Sequence, residues 1–214
     1  MGLKPARITG ILSLKEAAEK LMSFYSPAEL ASIGLRSCGE HVLISRKASI
    51  YNAGAIEIGS HVRIDDFCVL SAGAGGIHIG NFVHVAVYAS MIGDGRISLG
   101  DYSGLSGRVT VYSSNDDYSG VHLTNPMVPS TYRGVRSADV TLGRHALVGA
   151  GAIVLPGVTI GEGVAIGAQS LVRSDCAPFY IYAGVPARQI KQRSRRLLEM
   201  EEMHKADQRR TEDS

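Results

Sequence analysis

The stretch VTIGEGVAIGAQSLV, residues 158–172, returns an apolar residue every six positions. Ile160 and Ile166 are each followed by glycine, whereas Val172 is followed by Arg173. The third repeat therefore keeps the apolar residue but not the glycine. An amphipathic helix repeats its apolar face near 3.6 residues, and a half-buried strand repeats every second residue. A fixed period of six fits neither and is typical of a repeat architecture.

The same step of six runs through most of the chain, in four registers. We call these apolar residues the hexad positions, and the residue four places after each of them is usually small, as at Cys68 and Ala146. The hexad positions are Ile58, Ile64, Leu70, Ile79, Val85, Met91, Leu99, Leu105, Val111, Leu142, Val148, Val154, Ile160, Ile166 and Val172.

Two inward positions per six residues predict a short strand followed by a corner, so that three hexads close one triangular coil. Stacked coils would place parallel strand backbones about 4.8 Å apart. Glycine after a hexad position would serve corners that need a positive φ or close backbone approach. The pattern predicts an all-β solenoid, with Ile160, Ile166 and Val172 on three successive walls.

Breaks in the period predict the domain organisation. The longest break places a protruding loop at 113–138, and long loops in compact domains are usually functional. We expect an N-terminal helical segment at 1–36, the solenoid at 37–188, and a C-terminal helix with a frayed tail at 189–214. We also expect the two terminal segments to cap the open ends of the coil stack.

Helix signals are clear in the N-terminal segment. One helix is predicted from Ser13, with Glu16 at the capping-box position. A second is predicted with Ser26 as N-cap, Pro27 at the first helical position and Gly34 near its end.

Composition excludes several classes of protein. The chain has 214 residues, with 22 Lys and Arg against 20 Asp and Glu, so the net charge of +2 indicates no nucleic-acid-binding surface. No stretch approaches the ~18 apolar residues of a membrane span. The 3 cysteines form neither a CxxC pair nor a disulfide framework, which favours a reducing compartment. We therefore expect a cytoplasmic protein with no membrane or nucleic-acid partner.

Two sets of motifs resemble a known family. VTLGRHALVGAGAIVLPGVTIGEGVAIGAQSLV with YAGVPARQIKQR resembles the C-terminal half of the hexapeptide-repeat acetyltransferases, which have a left-handed parallel β-helix. FYSPAELASIGLRSCGEHVLIS, RIDDFCVLSAGAGGIHIGNFVHVAVYAS and YSSNDDYSGVHLTNPMVPSTYR are similar to a subgroup in bacterial surface-polysaccharide and O-antigen synthesis. That subgroup N-acetylates nucleotide-linked amino sugars such as dTDP-4-amino-4,6-dideoxyglucose. The resemblance implies acetyl-CoA as co-substrate and a homotrimer with active sites between subunits.

His84 is the candidate general base. A thioester is already activated, so the enzyme needs no covalent nucleophile, only orientation, proton removal and oxyanion stabilisation. His84 lies at a corner just before Val85, and the subgroup has a histidine in this place. The alternative is a corner histidine that merely bonds to the backbone. His61 and His145 are expected to face outward.

The protruding loop supplies the candidate substrate contacts. Galactoside acetyltransferases have a catalytic histidine after the corresponding VT strand, but this sequence has acidic and amide residues there, and His122 is displaced. An acidic pair would hold a sugar ammonium group or orient His84; the alternative is a simple Asx-turn at Asn115 and Asp116. We assign substrate binding to Asn115, Asp116, Asp117 and Tyr118.

The resemblance places the pantetheine arm of acetyl-CoA along the outside of the late coils. The alternatives are that the corners need these glycines anyway and that the basic residues are only solvated. The candidate residues are Gly149, Ala150, Gly167 and Ala168 for the pantetheine arm, with Arg188, Lys191 and Arg193 for the phosphates.

Other functions remain as alternatives. Acetylation of a sugar hydroxyl is the first, and an acyl group other than acetyl stays open. A zinc enzyme resembling gamma-type carbonic anhydrases needs three converging histidines, but His78 and His84 are one prism face apart, so we expect no metal. A non-catalytic scaffold would need neither the long polar loop nor the AGVPA ending.

Overall fold

The computed structural model describes residues 23–212, most of which form a three-walled solenoid of short parallel strands. The helix predicted from Ser13 lies outside these described residues. The chain visits the three walls in turn, so each wall is a parallel sheet with one strand per coil. Two helices flank the solenoid, α1 (Pro27–Ser32) and α2 (Arg196–Glu212).

The strands divide among the walls as follows. The first wall contains β1 (Ser37–Cys38), β4 (Ile56–Ile58), β7 (Ile77–Ile79), β10 (Ile97–Leu99), β15 (Val140–Leu142) and β18 (Thr159–Ile160). The second contains β2 (Leu43–Ile44), β5 (Arg63–Ile64), β8 (His84–Val85), β11 (Gly104–Leu105), β16 (Leu147–Val148), β19 (Ala165–Ile166), β21 (Tyr180–Ala183) and the antiparallel β22 (Arg188–Gln192). The third contains β3 (Ser49–Tyr51), β6 (Val69–Ala72), β9 (Ser90–Gly93), β12 (Thr110–Tyr112), β17 (Ile153–Val154) and β20 (Leu171–Val172). Outside the walls, β13 (Ser114–Asn115) pairs with β14 (Arg136–Ser137).

The hexad positions form the core, as the period of six predicts. All of them are at most 3% exposed. Ile160, Ile166 and Val172 lie in β18, β19 and β20 and therefore on three successive walls. Burying an aliphatic side chain of this size contributes about 1.5–3 kcal/mol, so the regular sixfold spacing stabilises every coil in the same way.

At the corners, close approach of the backbone and positive φ fall on different residues, whereas the period of six predicts both at the same glycine. Glycine after a hexad position is needed for close approach: a Cβ at Gly143 would lie 2.7 Å from the backbone nitrogen of Glu162 in the next coil. The positive φ falls two residues later, at side chains such as His61, Phe82 and Tyr102. A left-handed backbone conformation is strained for residues other than glycine. The surrounding coils must therefore hold these residues in it.

The left-handed residues of one corner form a continuous aromatic column. Ring centroids of His41, His61, Phe82, Tyr102 and His145 follow one another at 4.7, 4.6, 4.7 and 5.2 Å. This spacing matches the distance of about 4.8 Å between stacked strands, because each ring comes from the next coil. We call this row the corner column.

Helix α1 begins as predicted, and it packs beside the first coil. The Ser26 side chain caps the helix, Glu29 completes the capping box, and Pro27 lies at the first helical position. Hydrogen bonds from Arg46 and Ser26 lower the pKa of Glu29 to about 2. Leu30 packs in the core and the backbone nitrogen of Tyr25 donates to Ile44, which fixes the segment against β2.

Helix α2 corrects two expectations. It continues to Glu212 instead of fraying, and it lies along the corner column instead of covering the end of the solenoid. His204 packs edge-on against Phe82 and Tyr102, which belong to successive coils. The side chain of His145, expected to face outward, does lie at the outer corner, but α2 covers it and leaves only 8% of the residue exposed.

Glu201 anchors α2 to the solenoid. Its carboxylate accepts hydrogen bonds from Nε2 of His145 at 2.7 Å and from Nη1 of Arg144 at 2.8 Å, and it pairs with Lys205. Burial by itself raises the pKa of Glu201, but the bonds from Lys205 and His145 and the charge of Arg144 outweigh it, so the pKa lies below its usual value.

Replacing Glu201 by alanine is expected to cost about 2–3 kcal/mol in the free energy of unfolding, because His145 loses its buried partner. The neighbouring Glu202→Ala, which removes only an exposed pair with Lys205, should change it by less than about 0.5 kcal/mol. Since the folded pKa is depressed, the contribution of Glu201 is present above pH 4.5 and is lost as pH falls through the folded pKa. Urea unfolding at several pH values measures both effects; equal losses in the two variants would contradict this anchoring role.

The burial of two cysteines and the character of the described helices agree with the predictions made from the sequence. Cys68 and Cys176 are buried, as their small inward positions predicted, and burial raises the pKa of both thiols to about 11. Within residues 23–212, no helix combines the length and the apolar character that crossing a membrane requires.

Candidate functional site

The protruding loop forms an arm over the third wall. The chain leaves after β12 and returns to the first wall at β15, and β13 pairs with β14 at the base of this excursion. A parallel bridge between Leu123 and Arg133 holds the middle of the loop. We call residues 113–138 the arm.

A cavity of about 480 Å³ opens at the base of the arm. All four residues predicted to bind substrate line it, so the structure brings them together. Its wall also includes residues from the late coils, and no sequence signal connects these residues to the loop. The lining residues are Asn115, Asp116, Asp117, Tyr118, Ser119, Arg136, Ser137, Ala138, Leu155, Pro156 and Arg173.

The two aspartates of the cavity differ in whether their carboxylates are free to bind a ligand. Asp117 accepts hydrogen bonds from the backbone and hydroxyl of Ser119 and from the backbone and Nδ1 of His122. The bonds from Ser119, followed by those from His122, hold the pKa of Asp117 well below its usual range. The Asx-turn therefore forms at Asp117, and Asp117 shapes the arm. Among the described residues, the Asp116 carboxylate has no hydrogen-bond partner and faces the cavity freely.

His84 is paired with a carboxylate, not with the backbone. Its Nε2 lies 2.8 Å from Oδ2 of Asp65, and Nε of Arg63 donates to Oδ1 of the same carboxylate at 2.6 Å. A carboxylate only accepts hydrogen bonds, which assigns the proton to Nε2 and leaves the lone pair on Nδ1. The ring is half exposed on the outer face of the second wall.

His84 and the arm cavity lie on different sides of one chain. His84 belongs to β8 in the second wall, whereas the arm lies over the third wall and β14 returns toward the first. The partner of His84 is Asp65, and the partners of Asp117 are within the arm, so no hydrogen bond of the described residues joins the two groups.

Three further histidine–carboxylate pairs were missed in the sequence. His78 pairs with Glu57 on the first wall, and His145 with Glu201 beneath α2. His122 uses Nδ1 to bind Asp117, so its Nε2 carries the free lone pair beside the arm cavity. Pairs across coils join residues about 20 positions apart, for which the sequence carries no local signal. His122 is the second candidate base.

The predicted coenzyme residues lie in the late coils. Gly149, Ala150, Gly167 and Ala168 follow β16 and β19, where the second wall turns into the third, and a Cβ at Gly149 would lie 2.6 Å from the nitrogen of Ala168. Close stacking of the coils therefore requires glycine at this position, whatever it binds.

The three basic residues predicted to contact the coenzyme phosphates differ in exposure and in their hydrogen bonds. Arg188 and Lys191 are exposed on β22. Arg193 instead donates to the carbonyl oxygens of His145, Gly163 and Val164, and burial lowers its pKa. Its Nη1 therefore fixes the chain before α2, whereas Arg188 and Lys191 have no such structural role among the described residues.

The sequence and the fold have close relatives. Residues 139–174 match the family model of the bacterial transferase hexapeptide (six repeats). The chain is 49% identical over 184 residues to a dTDP-4-amino-4,6-dideoxy-D-glucose acyltransferase of Escherichia coli, covering 86% of this chain and 96% of that protein.

The chain belongs to the hexapeptide-repeat acyltransferases.

Solved structures agree with this identification. AntD, an N-acyltransferase from Bacillus cereus in complex with dTDP and 3-hydroxybutyryl-CoA, matches this acyltransferase with a TM-score of 0.84 and 45% identity over 87% of this chain and 98% of that chain. A point variant of AntD, in complex with dTDP-4-amino-4,6-dideoxyglucose and coenzyme A, matches with a TM-score of 0.83, 45% identity and coverage of 86% and 98%. The resemblance found in the sequence, and the enzyme class it implied, are confirmed.

Metal ligands do not converge in the part of this acyltransferase that the structure describes. Residues 23–212 contain no group of three histidine, cysteine or acidic side chains able to hold an ion. His78 and His84 lie on the first and second walls, each paired with a carboxylate, which agrees with their predicted separation by one prism face.

Proposed function

We propose that this acyltransferase transfers an acetyl group from acetyl-CoA to the 4-amino group of dTDP-4-amino-4,6-dideoxyglucose or a closely similar nucleotide sugar. The observation that carries the proposal is the 49% identity to an acyltransferase of that name along 96% of its length. A role in surface polysaccharide synthesis and a cytoplasmic location follow from the same resemblance.

The chemistry proposed for the site is direct transfer. The sugar nitrogen attacks the thioester carbonyl carbon, the new C–N bond forms, the C–S bond breaks, and coenzyme A leaves as thiolate. His84 takes the proton from nitrogen on Nδ1, while Asp65 holds Nε2–H. Asp116 holds the sugar amine, since its carboxylate is free. The pantetheine arm lies along Gly149, Ala150, Gly167 and Ala168, with Arg188 and Lys191 near the phosphates.

A homotrimer would bring His84 and the arm together. The outer face of the first wall is polar, as at Glu57 and Thr159, whereas the other two walls expose large apolar side chains. Exposed apolar patches of this kind mark protein interfaces. The exposed apolar residues are Leu43 and Leu147 on the second wall, Tyr51 and Ile153 on the third, Phe67, Val87 and Tyr88 at the corner between them, and Val121, Leu123, Met127 and Tyr132 on the arm. We therefore place the second wall of one subunit against the third wall and arm of the next.

An acceptor screen tests the proposed function. The purified enzyme is assayed with acetyl-CoA or 3-hydroxybutyryl-CoA against dTDP-4-amino-4,6-dideoxyglucose and against dTDP-glucose, which offers only hydroxyl groups. We expect release of coenzyme A with the amino sugar and acetyl-CoA. Turnover with the hydroxyl acceptor alone would favour O-acetylation instead, and turnover with the longer donor alone would change the acyl group.

Asp116→Asn is expected to raise the KM for the amino sugar about tenfold while the KM for acetyl-CoA stays the same, because a charge-assisted hydrogen bond to the amine is lost. Glu202→Ala, an exposed change on α2, is the matched loss of one negative charge. Equal increases in both KM values would contradict a specific contact with the acceptor.

Subunit mixing tests whether the site is shared. His84→Asn and Asp116→Asn are each purified, mixed, dissociated and reassembled. If His84 and Asp116 of one site come from different subunits, random assembly makes about a quarter of the sites intact. Activity at an amino-sugar concentration well below KM then rises above that of either variant. Activity that stays at the level of the separate variants, or a monomer in sedimentation, would contradict the shared site.

A further inference from the structure

The arm cavity contains two unused cations from distant parts of the sequence. Arg136 lies on β14, where the arm returns, and Arg173 follows β20 in the last coil. Both line the same cavity. Within residues 23–212, neither guanidinium forms an ion pair or a side-chain hydrogen bond.

Several other arginines of the solenoid already have a carboxylate partner. Arg36, Arg46, Arg63 and Arg144 all pair with carboxylates. Asp116 and Asp117 also line the cavity, but Asp117 is held by Ser119 and His122, and Asp116 makes no ion pair with either arginine. The guanidinium groups therefore remain available to a ligand.

The remaining lining suits the same ligand class. Ser119 and Ser137 also line the cavity, and Leu155 and Pro156 contribute apolar surface. Tyr118 is 90% exposed at the rim, where its ring can stack on a base. Paired guanidinium groups bind phosphate oxygens through parallel charge-assisted bonds, and one diphosphate spans two such groups.

We propose that the arm cavity binds a diphosphate group of a nucleotide, with Arg136 and Arg173 as its cationic contacts. The inference deepens the proposed function, since both a nucleotide sugar and coenzyme A carry a diphosphate. Neither arginine is recognisable from its own stretch of sequence, because only the return of the arm over the last coils brings them together.

Calorimetric titration of the full chain tests the proposal, using dTDP, coenzyme A and thymidine as separate ligands. Arg136→Gln and Arg173→Gln should each raise the Kd of at least one diphosphate ligand about tenfold and leave thymidine binding unchanged. Arg209→Gln, an exposed arginine of α2, is the control with the same change in charge. An effect confined to dTDP assigns the cavity to the acceptor, and one confined to coenzyme A assigns it to the donor; either supports the proposal.

Unchanged Kd values for both ligands would overturn it, as would an equal loss for both together with a lower melting temperature. Binding is measured without turnover, so an enzyme that failed to acetylate the amino sugar would still give a result here. A wild-type chain that binds dTDP or coenzyme A in this way, but transfers no acetyl group, would refute the proposed function alone.

Discussion

Replacement of His84 by asparagine is expected to lower kcat by about 10²–10⁴-fold, the range for loss of a general base. Asparagine is polar and the His84 side chain is half exposed, so the melting temperature should change little.

His78→Asn is the matched control. His78 is also partly exposed, also projects from a strand of the solenoid and also pairs with a carboxylate, at 3.0 Å from Glu57, but it lies on the polar first wall. We expect near-normal turnover from this variant. If His84→Asn also turns over normally, the base is elsewhere, and His122, held by Asp117 beside the cavity, is the next residue to replace.

Substitution of Gly143 by alanine is expected to lower the free energy of unfolding by about 2–4 kcal/mol, as overpacking against backbone does. The new Cβ would meet the backbone nitrogen of Glu162 at 2.7 Å and the carbonyl carbon of Gly161 at 2.9 Å. Both belong to the next coil, whose position is fixed by the sheet hydrogen bonds. The coil cannot move away without breaking that ladder.

Gly104→Ala provides the contrast. In β11 a Cβ would find its nearest atoms, the His84 oxygen and Cδ1 of Leu147, at 3.7 Å, which is ordinary contact. Removing glycine from a strand reduces the entropy of the unfolded chain, so this variant should be neutral or more stable by up to about 1 kcal/mol. Urea unfolding of the two variants measures the difference, and similar values would show that coil contact is not what these glycines serve.

Much of the fold was predictable because the repeat is a local signal with a global consequence. Each hexad position is buried because of its own place in a coil. A break in the period that was placed wrongly would therefore not change the predicted burial of the other hexad positions. The N-cap at Ser26 and the inert burial of Cys68 were predicted on similarly local grounds. What the period did not show was the corner column, although His61, Phe82 and Tyr102 each stand three residues after a hexad position.

The candidate site was predictable only in part. The loop residues Asn115 to Tyr118 were chosen from the break in the period and the resemblance, and the cavity brings them together. The sequence did not distinguish Asp116 from Asp117, because their difference lies in hydrogen bonds to Ser119 and His122. Nor did it show that Nη1 of Arg193, which is predicted to contact a phosphate, holds carbonyl oxygens of neighbouring coils.

The sixfold spacing of aliphatic residues acts within each coil, so the three-walled solenoid, its buried positions and the point where the arm leaves it can be derived from the chain alone. The contacts across coils cannot: Asp65 pairs with His84, Glu201 pairs with His145, and Arg136 and Arg173 line one cavity only in the folded molecule. Stacking joins residues about 20 positions apart, and the arm and α2 join residues farther apart still. Contacts over such separations depend on the folded path of the chain, which no single stretch of sequence contains.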